Sequence, residues 1–155
     1  MKEEKVFLRE KFIEFQRRTA ELSHMLRERE QAHQNRENAL FLDLFEVLDA
    51  FENLDDNMTA KEDTFDKTTR MMAKNIRSIC KKLVRLLRNN HIVQISFPDN
   101  KASMEYCKVL ETRELPDMKN ETVLSVVRNG YMNTERNEVL RKAQVITVRN
   151  EEDEL

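Results

Sequence analysis

Apolar side chains in the first third of the chain recur at alternating steps of four and three: Leu8, Phe12, Phe15, then Leu22 and Leu26, with Thr19 between them. Residues three and four apart share one face of a helix, so this spacing lays a single stripe along it. No Gly or Pro interrupts positions 2–54, and nothing else there breaks a helix. Uninterrupted, such a helix runs to roughly 75 Å at ~1.5 Å per residue. A lone helix of that length cannot bury its own stripe, and a second copy is the simplest cover. The seam Leu8, Phe12, Phe15, Leu22 and Leu26 is therefore expected to pair as a parallel, dimerising coiled coil. At Arg29, His33 and Arg36 the same positions turn polar, which leaves a poorly buried middle.

Past Leu40 the apolar density rises, with Leu44, Leu48 and Phe51 inside a run that is too wide for a two-stranded seam. That width suits a helix in a bundle core. Residues 52–63 are acidic and polar and read as a connection. A second helix is expected from about Phe65 to Asn89, where Phe65, Met72, Ile79 and Leu86 lie seven apart and Ile76 and Leu83 form the other seam. Two helices per chain, doubled, give a dimeric four-helix bundle with Leu44, Leu48, Phe51, Ile76 and Leu83 at its dimerisation core. After Asn90 the period changes. Ile92–Ile95, Tyr106–Leu110, Thr122–Val127 and Gln144–Val148 are short and β-branched, and Pro98, Pro116 and Asn129-Gly130 punctuate them. The expected fold is α+β, mainly α: a helical dimerisation part over 1–90, a compact β domain over 91–150 and an acidic tail over 151–155.

Composition narrows the function. One Gly and two Pro among 155 residues cannot supply the turns of an all-β or doubly wound fold, nor a Gly-rich phosphate loop. Lys plus Arg number 27 against 29 Asp plus Glu, which argues against a nucleic-acid surface. No apolar stretch approaches a membrane span and the charged first ten residues lack a signal peptide's core, so a cytoplasmic protein is expected. His24, His33 and His91 have no companion at metal-ligand spacing. Cys80 and Cys107 read as reduced core thiols, and Ser125 lies in an apolar run rather than a nucleophile elbow. No catalytic set and no cofactor are expected.

The order of parts, with five short motifs, resembles the GrpE family. Phe12-Ile13-Glu14-Phe15-Gln16-Arg17-Arg18-Thr19 is similar to that family's F-x-N-Y-x-K-R-T, and Leu44 to Glu52 to its L-L-P-V-L-D-N-L-E. Ile95 to Leu110 resembles P-F-D-P-x-x-H-E-A-V-x-x-V, with Glu105 on the family's Glu and Met104 where His stands. Thr122 to Tyr131 resembles T-V-x-E-V-L-Q-K-G-Y, and Val139 to Val145 resembles V-L-R-P-A-M-V. The matches run in order over nearly the whole chain. Departures are Glu46 for Pro, Asn53 for Arg, His91 for Gly, and Lys142 and Gln144 for the Pro and Met of R-P-A-M. Extra residues stand at 115–119 and 133–138.

The resemblance implies a homodimeric co-chaperone that promotes ADP release from the nucleotide-binding domain of a DnaK-type ATPase chaperone through its β domain. It implies Met104, Glu105, Gly130, Tyr131, Leu140, Arg141 and Gln144 as chaperone-binding residues. Tyr131 and Arg141 are expected to be exposed anchors, and Gly130 to supply a positive φ before Tyr131. A dimeric adaptor of the same descent, binding another client without exchange, is the second reading. Lys142 and Gln144 favour it, whereas the retained Gly130-Tyr131 and Val139-Leu140-Arg141 favour exchange. The polar seam at Arg29, His33 and Arg36 predicts that the long helix melts before the rest. Circular dichroism should record a reversible loss of helix below a separate unfolding transition; one cooperative transition would contradict it.

Overall fold

The computed structural model describes residues 1–150; the acidic tail expected at 151–155 lies outside the described residues. The fold is α+β and mainly helical, with a long N-terminal helix and a small β region. Its elements are α1 (Lys2–Ala60), a 3-10 turn (Glu62–Thr64), α2 (Lys67–Asn89), β1 (Ile92–Gln94), β2 (Cys107–Arg113), β3 (Val123–Arg128), β4 (Tyr131–Asn133), β5 (Glu138–Arg141) and β6 (Ala143–Val148). The chain divides into two compact units, Met1–Phe41 and Leu42–Leu155. The change of period near residue 90 thus falls inside the second unit.

The first unit is α-helical throughout after Met1. Every residue from Met1 to Leu22 is exposed, and so are the seam residues Leu8, Phe12, Phe15, Leu22 and Leu26. Its polar faces are laced at helical spacing. Lys11 Nζ donates to Glu14 at 2.8 Å, Arg17 Nε to Glu21 at 2.9 Å and Gln31 to Asn35 at 3.1 Å. His24 lies 3.6 Å from Glu28, the neighbour relation its i,i+4 spacing suggests.

In the second unit α1 continues to Ala60, past the connection expected over 52–63. Asn53, Asp55, Asp56 and Asn57 are weak helix formers, so a tertiary contact matters here: Asp55 is held from α2 by Arg77, whose Nε donates at 2.6 Å. Arg77 also donates to Glu62 at 3.3 Å and to Thr59 at 3.2 Å, which spans the reversal between the helices. α2 starts two residues later than the apolar period suggests. Phe65 is extended, and Asp66 caps the helix by accepting from the Thr69 N–H at 2.7 Å. Leu44, Phe51, Ile76 and Leu83 are half-buried. Leu48, expected in a dimer core, is fully buried by its own chain.

The strands form two three-stranded sheets. β1, β4 and β5 pair antiparallel in that order, while β6 is central to the other, parallel to β2 and antiparallel to β3. Four expected strand segments are present with shifted ends, and a β4–β5 hairpin is added where 133–138 reads as an inserted loop. Its turn is built by Asn133, a buried residue whose Oδ1 accepts from the Glu135 and Arg136 N–H groups, each at 3.0 Å. Cys107, Ala143 and Val145 form the core of the β6 sheet, with Phe97, Val109 and Val123 packed against them.

Between α2 and β1 the chain turns through His91, at φ 61°. Asn90 closes the helix, donating from Nδ2 to the Leu86 carbonyl at 2.9 Å. His91 then occupies the left-handed position that glycine takes most cheaply. This is where the family's Gly stands. A histidine there carries a steric cost of about 1 kcal/mol. His91→Gly should therefore raise stability by roughly that amount, read as a shift in the urea midpoint; an unchanged midpoint would mean the turn is unstrained.

Candidate partner-binding site

One face of α1 carries Phe45, Asp49 and Glu52, three and four residues apart, with Leu48 beside them. Against it stand the end of β3, the 129–130 link, and the β4–β5 pair, in which Tyr131 faces Arg141 in register. Phe45 stacks on Tyr131 with ring centroids 4.2 Å apart and an interplanar angle of 13°. The Arg141 guanidinium carbon lies 5.4 Å from each centroid, a cation–π arrangement on both rings. The same guanidinium reaches Asp49 with two prongs, Nη2 to Oδ1 at 2.6 Å and Nη1 to Oδ2 at 2.9 Å. Its Nε and Nη2 also donate to the Asn129 carbonyl at 3.0 and 2.8 Å. Arg128 adds a donor to Asp49 at 2.8 Å and pairs with Glu46. Asn129 donates to Glu52 at 2.7 Å and accepts from Gln94 at 2.9 Å.

Burial raises the Asp49 pKa, but hydrogen bonds and charge from Arg141 and Arg128 outweigh it and hold the carboxyl below its ordinary range. Burial pushes the Tyr131 phenol upward, helped by Glu52. Burial, then Glu52 and Asp55, raise the Cys80 thiol, which keeps it unreactive. Cys107 is buried and its thiol donates to the Ser103 carbonyl at 3.1 Å. Among the described residues no group of three His, Cys, Asp or Glu could hold a metal ion, and no helix is long and apolar enough to cross a membrane.

Three sequence expectations change here. Tyr131 is buried and the Arg141 side chain is only 13% exposed, because both are engaged by α1; neither is an exposed anchor. Gly130 does not have positive φ. It is buried, and a Cβ would collide with the Ala143 nitrogen and lie 2.8 Å from the Arg141 carbonyl and 2.9 Å from Ile95 Cδ1. Close approach, rather than φ, requires glycine. Of the other candidate contacts, Met104 and Glu105 are exposed, while Leu140 and Gln144 are half-buried. Lys142 Nζ donates to the Met104 carbonyl at 2.6 Å, which ties that segment beside β5. Gln144 lies on β6 opposite Lys108 and Arg128. Sequence reasoning missed Phe45, Asp49, Arg128 and Asn129. The sequence offers only a row of acids three apart, Asp43, Glu46, Asp49 and Glu52, inside an apolar helical run, with nothing to mark Asp49 among them. Glu46, which stands where the family has Pro, now has a role as a partner of Arg128.

The exposed large apolar side chains of the β unit lie elsewhere, at Met104, Leu110, Leu115, Met118, Val126 and Val127. The long helix carries a bare apolar stripe, the kind of surface that marks protein–protein contact. The GrpE family model matches residues 2–149, and the chain belongs to the GrpE family. That family is one of nucleotide-exchange co-chaperones of DnaK-type chaperones, not of catalysts. No curated protein matches the chain.

Arg141→Ala strands a carboxylate whose side chain is 17% exposed with one guanidinium instead of two. The second unit should lose about 2–4 kcal/mol in urea unfolding. The pH dependence has a definite sign. A folded pKa below the unfolded one gives stabilisation that is complete above the unfolded value and lost as pH falls through the folded one. Stability should therefore decline below about pH 4, and Asp49→Asn should flatten that decline. An equal slope in both proteins would remove Asp49 as a source.

Proposed function

We propose that the chain is a homodimeric, cytoplasmic co-chaperone that acts as adenine nucleotide exchange factor for a DnaK-type ATPase chaperone. Residues 1–90 pair the two copies and residues 91–150 bind the chaperone's nucleotide-binding domain. The family match over nearly the whole chain carries this reading. Exchange needs no covalent chemistry. The β unit must bind the open form of the ATPase domain more tightly than the closed, ADP-holding form, and only that difference shifts the equilibrium. The clamp on α1 supports this role, since a β unit fixed at Asp49 and Phe45 delivers its surface without swivelling. The exposed Met104 and Val127 are the side chains offered to the partner, and adaptable Met suits such a surface. Neither nucleic acid nor membrane is assigned as a partner.

A dimeric adaptor of GrpE descent without exchange activity is the second reading. It is favoured by Lys142 and Gln144, which stand where the family has Pro and Met. The two separate in one experiment. Wild-type protein should sediment at about twice 18.6 kDa and should speed release of fluorescent ADP from a DnaK-type ATPase domain. Val127→Asp should cut that acceleration at least about tenfold without changing sedimentation. Dimers that bind no ATPase domain would favour the adaptor.

A further inference from the structure

The three polar seam positions of α1 form a locking layer rather than a simple gap. With Phe12, Thr19, Leu26 and His33 at a positions, Phe15, Leu22, Arg29 and Arg36 fall at d, and Glu30 falls at e. In a parallel, in-register pair a d side chain enters the hole formed by the partner's a, d, e and next a residues. For Arg29 that hole consists of residues 26, 29, 30 and 33. The first unit presents a concavity lined by Leu26, Arg29, Glu30, Ala32, His33 and Arg36, which contains all four. Arg29, Glu30 and His33 are all exposed.

We propose that this concavity receives Arg29 of a second copy, whose guanidinium pairs with Glu30 across the seam while its own Glu30 takes Arg29 in return. The occupant is a second copy because the charges are self-complementary under a two-fold axis: Arg29 and Glu30 are adjacent in sequence and do not face each other along one helix, and the axis sets each against its opposite. An antiparallel pair that buries the stripe from Leu8 to Leu26 on itself carries Glu30 to the partner's N-terminal turns, beside acids such as Glu3 and Glu4 of the partner subunit and away from Arg29 of the partner subunit. Like charges there disfavour it. The layer thus costs stability and fixes orientation and register, as polar seam residues do in other coiled coils. The pattern of Arg followed by Glu recurs one heptad later at Arg36-Glu37.

This inference rests on the dimeric reading, and the test separates them. Sedimentation of wild type decides dimerisation first; a monomer removes both. Arg29→Glu and Glu30→Arg chains are then denatured together, refolded and analysed by native mass spectrometry. Homodimers of either variant juxtapose like charges, whereas the mixed dimer restores opposite ones. Mixed dimers should outnumber both homodimers together by about threefold or more, and helix content should exceed that of either variant alone. Random assortment in a protein that dimerises would overturn the lock. Orientation is read separately from Thr19→Cys, an a position that meets its own copy only in a parallel, in-register pair. Oxidation should give a cross-linked dimer on a non-reducing gel that wild type does not give. Absence of that cross-link in a dimeric protein would overturn the parallel register.

Discussion

A carboxylate enclosed between two guanidinium groups fixes how the β region sits on its helix. Asp49 comes from α1, Arg141 from β5 and Arg128 from the end of β3, so one side chain gathers three elements of the second unit. Burying a charge is costly unless its oxygens are fully engaged. Here the cost is met by two-pronged geometry, and the Phe45 and Tyr131 rings flank the same guanidinium. The rings exclude water, which strengthens the charge pairing, and the pairing holds the rings in stack. Removing any member leaves the others in a worse state than an apolar substitute would.

That arrangement suits a protein acting by shape. Under the proposed function, a factor that opens another protein's cleft has to hold its contact surface against a reaction force, and a hinged surface would absorb it. Of the apolar side chains left bare on the β unit, Leu110, Val126 and Val127 are carried on strands and Met104 on a segment tied by Lys142, while Leu115 and Met118 stand on the loop between β2 and β3. Gly130, Tyr131 and Arg141, which fall in the family's motifs, are instead packed inward, the last two against α1.

How far the residues announce this depends on distance along the chain. The long helix and its apolar stripe are legible because a three-four repeat is a local property. The strands at 92, 107, 123 and 143 were legible from β-branched runs, but their pairing was not, since β6 joins β2 in parallel and β3 antiparallel. The end of α1 was misjudged because the contact that holds it, Arg77 to Asp55, comes from α2. Gly130 was the right residue for the wrong reason: backbone torsion is guessed from neighbours, whereas collision with Ala143 depends on a strand from elsewhere. The burial of Tyr131 and Arg141 has no local signal, because the helix that covers them lies far upstream in the chain.

Asp49 and Arg141 are separated by 92 residues. During synthesis at ~5–20 residues per second, the helix that carries Asp49 and Phe45 precedes its strand by roughly 5–18 s. For that interval the nascent chain holds an unmatched acid and an uncovered ring on a helix with nothing to close over it, and the last strands to emerge complete the clamp. A ribosome pausing late in this message would therefore leave a product whose helices are made but whose β region has nowhere fixed to dock.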